Sequence, residues 1–240
     1  MKLSRRITAL SALLVSLQMV SAGDIVGKIT LKGTPPPEAD IPLDKDLFCG
    51  PLNQGKPNPK TRFYAVEKNG ELADVFVYVK DGLTGKTFPV PEKAGLLDQV
   101  NCQYVPYVIG LQTNQKLRIR TSDSMMHNVH IMPINPPNKE FNRAMLPKQK
   151  DLEYSFPTEE IFVKFKCDVH QWMFAYVGVV NHPFYSVSDK DGTFKISNLP
   201  AGDYTIEAYH RKAGKKTQKV TVEAEGKKEA NFTLEVPPPK

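Results

Sequence analysis

Within seven residues, Cys167-Asp168-Val169-His170-Gln171-Trp172-Met173, the chain carries a thiol, an imidazole and a thioether. Ile161-Phe162-Val163-Lys164-Phe165-Lys166 reads as a strand delivering the cysteine, and Tyr176-Val177-Gly178-Val179-Val180 as the strand that returns. A tight turn between them brings three donor groups toward one point. These are the donor types of copper electron-transfer sites, where two His and one Cys form a plane and a Met binds weakly along the axis. The fourth donor has to come from elsewhere, and forty positions before Cys167 the strand-like Met126-His127-Asn128-Val129-His130 offers His127. Side chains alternate along a strand, so His127 and Val129 share one face while Asn128 and His130 take the other. His130 is therefore not expected in the same cluster.

The environment of a buried thiol bears on this reading. The chain opens Met1-Lys2-Leu3-Ser4-Arg5-Arg6, runs uncharged for 14 residues from Ile7 to Val20, and offers Val20-Ser21-Ala22 before Gly23. That is the pattern of a secretory signal peptide over residues 1–22, too short to span a bilayer comfortably. The expectation is a periplasmic or secreted protein in an oxidising compartment, with no transmembrane segment after signal removal. The formal charge of +6 becomes +3 without Lys2, Arg5 and Arg6. So mild and dispersed a balance argues against nucleic acid as a partner.

Of the 3 cysteines, Cys49 lies in the Pro-rich stretch Phe48-Cys49-Gly50-Pro51 and Cys102 in Asn101-Cys102-Gln103-Tyr104. A Cys49–Cys102 staple would leave Cys167 free for a metal, whereas a Cys102–Cys167 bridge would abolish the site. The first pairing is favoured.

Short alternating runs, frequent Gly and Pro and few helix-period patterns give an all-β class. Ile25, Gly27, Ile29 and Leu31 mark a first strand, followed by a loop from Gly33 to about Thr61 with seven prolines. Ala73 to Lys80 is the strongest strand signal, with Val75, Val77 and Val79 on one face and Phe76 and Tyr78 on the other. Apolar residues on both faces indicate a central strand. Further strands are expected at Tyr104–Leu111, Lys116–Thr121 and His127–Met132, and irregular structure around Phe141–Pro147. Past Asn181-His182-Pro183 the pattern changes to short hairpins around Asp189-Lys190-Asp191-Gly192, Leu199-Pro200-Ala201-Gly202-Asp203 and Glu225-Gly226.

His127-Asn128-Val129, the Cys167-x-x-His170 turn with Met173 behind it, and Gly178-Val179-Val180 together resemble the cupredoxins of plastocyanin and azurin type. The resemblance covers roughly residues 72–182. It implies a Greek-key sandwich with one copper ion per chain, His127, Cys167, His170 and Met173 as its ligands, and Asn128 bracing the ligand loop. The two residues between His170 and Met173 are fewer than blue-copper loops usually have and resemble the loop of the binuclear purple centre. The second bridging thiolate of that centre would fall at Val163, so a mononuclear site is implied.

Ser188-Asp189-Lys190-Asp191-Gly192-Thr193-Phe194 and Leu199-Pro200-Ala201-Gly202-Asp203-Tyr204-Thr205-Ile206 resemble the carboxypeptidase regulatory-like domain, a small transthyretin-like sandwich, over residues 183–236. In that family the first strand often resembles Ile25-Val26-Gly27-Lys28-Ile29, so residues 24–32 are expected to pair with the C-terminal sheet and the cupredoxin-like part to be an insertion. The expected organisation is a signal at 1–22, an N-terminal strand and loop at 23–71, the two modules, and a tail at 237–240. The combination also resembles exported methylamine-utilisation-type proteins.

The resulting expectation is a one-electron carrier serving exported or membrane-bound redox partners, with a partly exposed His170 edge as the electron exit. Copper delivery without redox cycling, or a metal-free structural or carbohydrate-associated surface module, are the other readings. No Ser-His-Asp pattern, phosphate-binding glycine loop or catalytic carboxylate pair stands out, so no enzymatic activity is expected. His182 and His210 read as ordinary polar residues and Trp172 as a core anchor.

Overall fold

The computed structural model describes residues 21–238; the expected signal peptide lies, save for Ser21 and Ala22, outside them. The first strands are β1 (Ala22–Lys32), β2 (Phe76–Asp81), β3 (Gly95–Val100), β4 (Gln103–Val105), β5 (Val108–Gln112) and β6 (Leu117–Thr121). Next come β7 (His127–Met132), β8 (Phe141–Met145), β9 (Leu152–Tyr154), β10 (Glu160–Lys166) and β11 (Phe174–Val180). The last are β12 (Tyr185–Val187), β13 (Thr193–Pro200), β14 (Gly202–His210), β15 (Gly214–Val222), β16 (Lys227–Glu229) and β17 (Phe232–Glu235). A 3-10 turn at Leu43–Lys45 and a one-turn helix α1 (Cys49–Leu52) interrupt the Pro-rich segment.

Two β-sandwiches result. In the first, a sheet ordered β5-β11-β10-β7-β8 faces one ordered β4-β3-β6-β9. Its core joins Leu97, Leu117 and Ile119 of one sheet to Val129, Ile131, Val163, Phe165 and Val177 of the other. The second sandwich sets β13-β1-β16, with β17 also on β1, against β12-β2-β14-β15. Here β1 runs antiparallel to β13 and parallel to β16 and β17, joining the N-terminal strand to the C-terminal sheet. The chain thus begins the second sandwich, builds the first between β2 and β12, and returns.

The expectation for Ala73–Lys80 is corrected by this topology. β2 is a central strand, but it pairs with β12 and β14 and so belongs to the second sandwich, not to the cupredoxin-like module expected over 72–182. Its two apolar faces have separate tasks. Val75, Val77 and Val79 enter the core of the second sandwich, while Phe76 and Tyr78 join Tyr107, Val108, Tyr176 and Val180 in a cluster between the sandwiches. A β-bulge in β10, with Phe162 at φ 68°, turns another ring into that seam, edge-on to Tyr209. Two further corrections concern weak signals. Phe141–Met145 is a strand, not irregular structure, although most of its residues are not buried, because it closes the edge beside β7. The Tyr104–Leu111 run divides into β4 and β5 around Pro106, which has no N–H for a ladder.

Phe76 is fully buried, and the surface that receives it is bare backbone. Gly110 of β5 and Gly178 of β11 are direct partners across the parallel ladder. A Cβ on Gly178 would lie 2.7 Å from the Phe76 ring, and one on Gly110 2.4 Å from Tyr185 and 2.8 Å from Phe76. Replacing glycine by alanine in an extended strand ordinarily helps by reducing unfolded-state freedom. Here overpacking reverses the sign, so Gly178→Ala is expected to lower stability by about 1–3 kcal/mol in urea unfolding; a gain would refute this packing account.

Candidate metal centre

Ladder geometry sets the positions of the donor groups. β10 ends at Lys166, paired with Phe174 at the start of β11, so residues 167–173 form the turn between two adjacent strands. Cys167 N–H donates to Met173 O (3.0 Å) and Met173 N–H to His170 O (2.9 Å), which closes the turn on itself. β7 is the other neighbour of β10, with Lys166 opposite His130, and this register brings His127 and Asn128 beside the turn.

His127 Nδ1 and His170 Nδ1 lie 3.1 Å apart, and Cys167 Sγ is 3.8 Å from His170 Nδ1. The three donor atoms all fall within 4.8 Å of one another. A triangle with such edges encloses an ion at roughly 2.0–2.3 Å from each corner, the usual range for metal–nitrogen and metal–sulfur bonds. The donor set, one thiolate and two imidazoles, suits copper. Met173 is buried at the end of the same turn.

Around this triangle the protein supplies a second layer of contacts. Asn128 N–H donates to Cys167 Sγ (3.3 Å), and the Asn128 side-chain oxygen accepts from Asp168 N–H (2.9 Å), so Asn128 braces the turn from both ends of the residue. His127 Nε2 donates to Asp123 Oδ2 (2.8 Å). Asp123 also accepts from Asn101 N–H (2.6 Å) and Cys102 N–H (2.8 Å), which holds the β3–β4 turn against the histidine. Such carboxylate partners fix the orientation and tautomer of a ligating histidine. The Trp172 indole N–H donates to Cys102 O (3.0 Å), and its ring centroid is 5.3 Å from that of His170.

His130 lies outside the cluster, as alternation requires. Its ring nitrogens meet Asp168 (2.9 Å) and Glu140 (2.6 Å) on the outer face of β7. His182 and His210 are buried in or beside the second sandwich, and His182 contacts Val79 O. Asp123 was not distinguished in the sequence, where one carboxylate four residues before a histidine is common.

The covering of the site departs from expectation. Cys49 and Cys102 form a disulfide, leaving Cys167 free and buried. Helix α1 is thereby held over the turn, with the disulfide sulfurs and a His170 nitrogen within 4.8 Å of one another. Asp46 accepts from the N–H groups of Phe48 and Cys49 and steadies this cap. His170 is consequently only 2% exposed, so the expected exposed imidazole edge does not exist.

Burial works against charge on both His127 and Cys167, yet their neighbours outweigh it. The Asp123 carboxylate and the Cys167 sulfur raise His127 from 6.5 to about 9. The Cys167 thiol is lowered by His127 and by the N–H groups of His170, Asn128 and Val169. His170 is shifted the other way, downward, by burial and by the charge on His127.

The chain was compared with family models, curated proteins and solved structures. The family model of the carboxypeptidase regulatory-like domain matches residues 174–235. Over these residues the C-terminal module is similar to that domain family. Its match begins in β11 and does not reach β1 or β2, which complete the sandwich in space. Solved structures similar to the chain include a purple cupredoxin from Nitrosopumilus maritimus, 21% identical over 35% of this chain and 98% of that one, with a TM-score of 0.30. An oxidised amicyanin variant is 16% identical over 43% of this chain and 97% of that one, with a TM-score of 0.33. The Cu-containing nitrite reductase from Thermus scotoductus SA-01 is 14% identical over 41% of this chain and 26% of that one, with a TM-score of 0.32. No curated protein matches the sequence.

Two measurements check the site's construction. The disulfide closes a separation of 53 residues, for which chain entropy gives a stabilisation of about 4 kcal/mol; Cys49→Ser/Cys102→Ser is expected to lose an amount of that order in urea unfolding. Because His127 is raised above its unfolded value, the stability it gives the metal-free fold is present below about 6.5 and lost as pH climbs through about 9. A metal at pH 7 must displace that proton, so calorimetric titrations in buffers of different ionisation enthalpy should show proton release, reduced in Asp123→Asn.

Proposed function

We propose that this chain is an exported mononuclear copper protein acting as a one-electron carrier, in which His127, Cys167, His170 and Met173 would hold the ion. The observation that carries the reading is the buried triangle of two Nδ1 atoms and one Sγ, built from strand ends and a hydrogen-bonded turn. Copper bound there would supply a single-electron couple.

The protein's part is to keep the donor geometry fixed. Asn128 holds the sulfur from β7 and the turn from its side chain, and Asp123 holds the His127 ring through Nε2. Ligands that cannot move give little reorganisation between oxidation states, which favours electron transfer. Exclusion of water and the backbone N–H groups on Cys167 tune the potential. The sealed cap favours a carrier over a delivery protein, since delivery requires the ligands to meet a partner directly. No catalytic role is assigned.

Export rests on residues 1–22 of the sequence, and the partners are exported or membrane-bound redox proteins. No helix among the described residues is long and apolar enough to cross a membrane. With His170 covered, the Trp172 ring beside it is the assigned path toward the surface.

Titrating the metal-free protein with Cu(II) tests the reading. An intense visible thiolate-to-copper band should saturate at one ion per chain and be missing in Cys167→Ser. Its absence from the parent protein, or its persistence in the variant, would overturn the assignment.

A further inference from the structure

A hollow of about 390 Å³ opens against the ligand turn. Its walls include Trp172 and Phe174 of the turn and β11, Tyr107 before β5, and Phe63 from the segment leading to β2, with Lys60 and Arg62 at its border. The volume falls in the range of small-molecule sites. Shallower hollows of about 500 Å³, one beside Lys116 and Glu153 and one beside Val26 and Lys195, hold none of the cluster residues.

The lining has a definite chemistry. Five flat rings, those of Phe63, Tyr104, Tyr107, Trp172 and Phe174, line it, and aromatic guests pack on such walls edge-on or offset. The lining contains two cations and no carboxylate. Arg62 is engaged by Asp74 (2.5 Å) and lies 5.2 Å from the Tyr107 ring centre. Among the described residues Lys60 pairs with Asp40 (3.2 Å), and both of those side chains are largely exposed. An exposed pair of that kind is weak, which leaves the ammonium able to turn toward an anion. Beneath the hollow, Trp172 is fixed by its N–H on Cys102 O and faces His170 on the metal side.

We infer that this hollow binds a small aromatic carboxylate, its ring against Trp172 and Phe63 and its charge toward Lys60. Binding at this site does not depend on the copper reading above. In the carrier reading the guest would be separated from His170 by a single indole ring.

The test uses the copper-free full protein and 4-hydroxybenzoate as probe, with benzyl alcohol as an uncharged comparator. Binding is followed by calorimetry and by the indole N–H resonance of the single tryptophan. Saturable one-site binding that moves this resonance is expected, with benzyl alcohol weaker. Val105 lines the hollow and is 48% exposed, so Val105→Asp should leave the fold intact while adding a repelling charge. It should weaken the probe by about tenfold or more, worth ~1.4 kcal/mol, and Lys60→Gln should weaken it to a smaller extent. No saturable binding, equal binding of benzyl alcohol, or undiminished binding by Val105→Asp would overturn the inference. The Cys167 titration decides the copper reading separately, so failure of either leaves the other standing.

Discussion

The placement of Phe76 on the paired glycines of β5 and β11 holds the molecule together as one object. A strand of the second sandwich sends a ring into a depression of the first that exists only because Gly110 and Gly178 have no side chains. Tyr185, Phe162, Tyr107 and Tyr176 surround it. Arg211, from the β14–β15 turn, extends the seam by donating to the Tyr107 hydroxyl (2.5 Å) and lying 4.9–5.0 Å from the ring centres of Phe63, Phe174 and Tyr176. Since Phe174 follows the ligand turn directly, the second sandwich supports the strand that closes the candidate metal centre.

The cluster is organised through backbone contacts more than through its donor side chains. One carboxylate, Asp123, links the β3–β4 turn to His127, and that turn carries the cysteine bonded to α1. Removing water from such a cluster makes each unmade hydrogen bond costly. Here His127 Nε2, Cys167 Sγ and the Trp172 N–H all have partners.

The legible parts of this architecture were those with local signatures. The strand at His127–Met132, the turn from Cys167 to Met173 and the separation of His130 from His127 follow from alternation and spacing, and the structure brings His127, Cys167 and His170 together. The sandwich to which β2 belongs was not legible, because two apolar faces suit a central strand of either module. The choice depended on partners more than a hundred residues away. β8 was hidden because an edge strand with mostly unburied side chains has no hydrophobic rhythm. The burial of His170 was hidden for a third reason: the covering residues come from a Pro-rich segment whose path is set by a bond between Cys49 and Cys102, and not by periodicity.

That covering has a kinetic consequence. His127, Cys167 and His170 are 0%, 1% and 2% exposed, and the segment above them is covalently anchored. An ion outside has no open coordination position to reach, so a collision cannot begin exchange. Uptake and loss would follow the frequency with which the α1 segment lifts or the turn breathes, and would become independent of metal concentration once that opening is slower than capture. In the folded, disulfide-closed protein, the lifetime of a bound ion would then be a property of the lid as much as of the ligands.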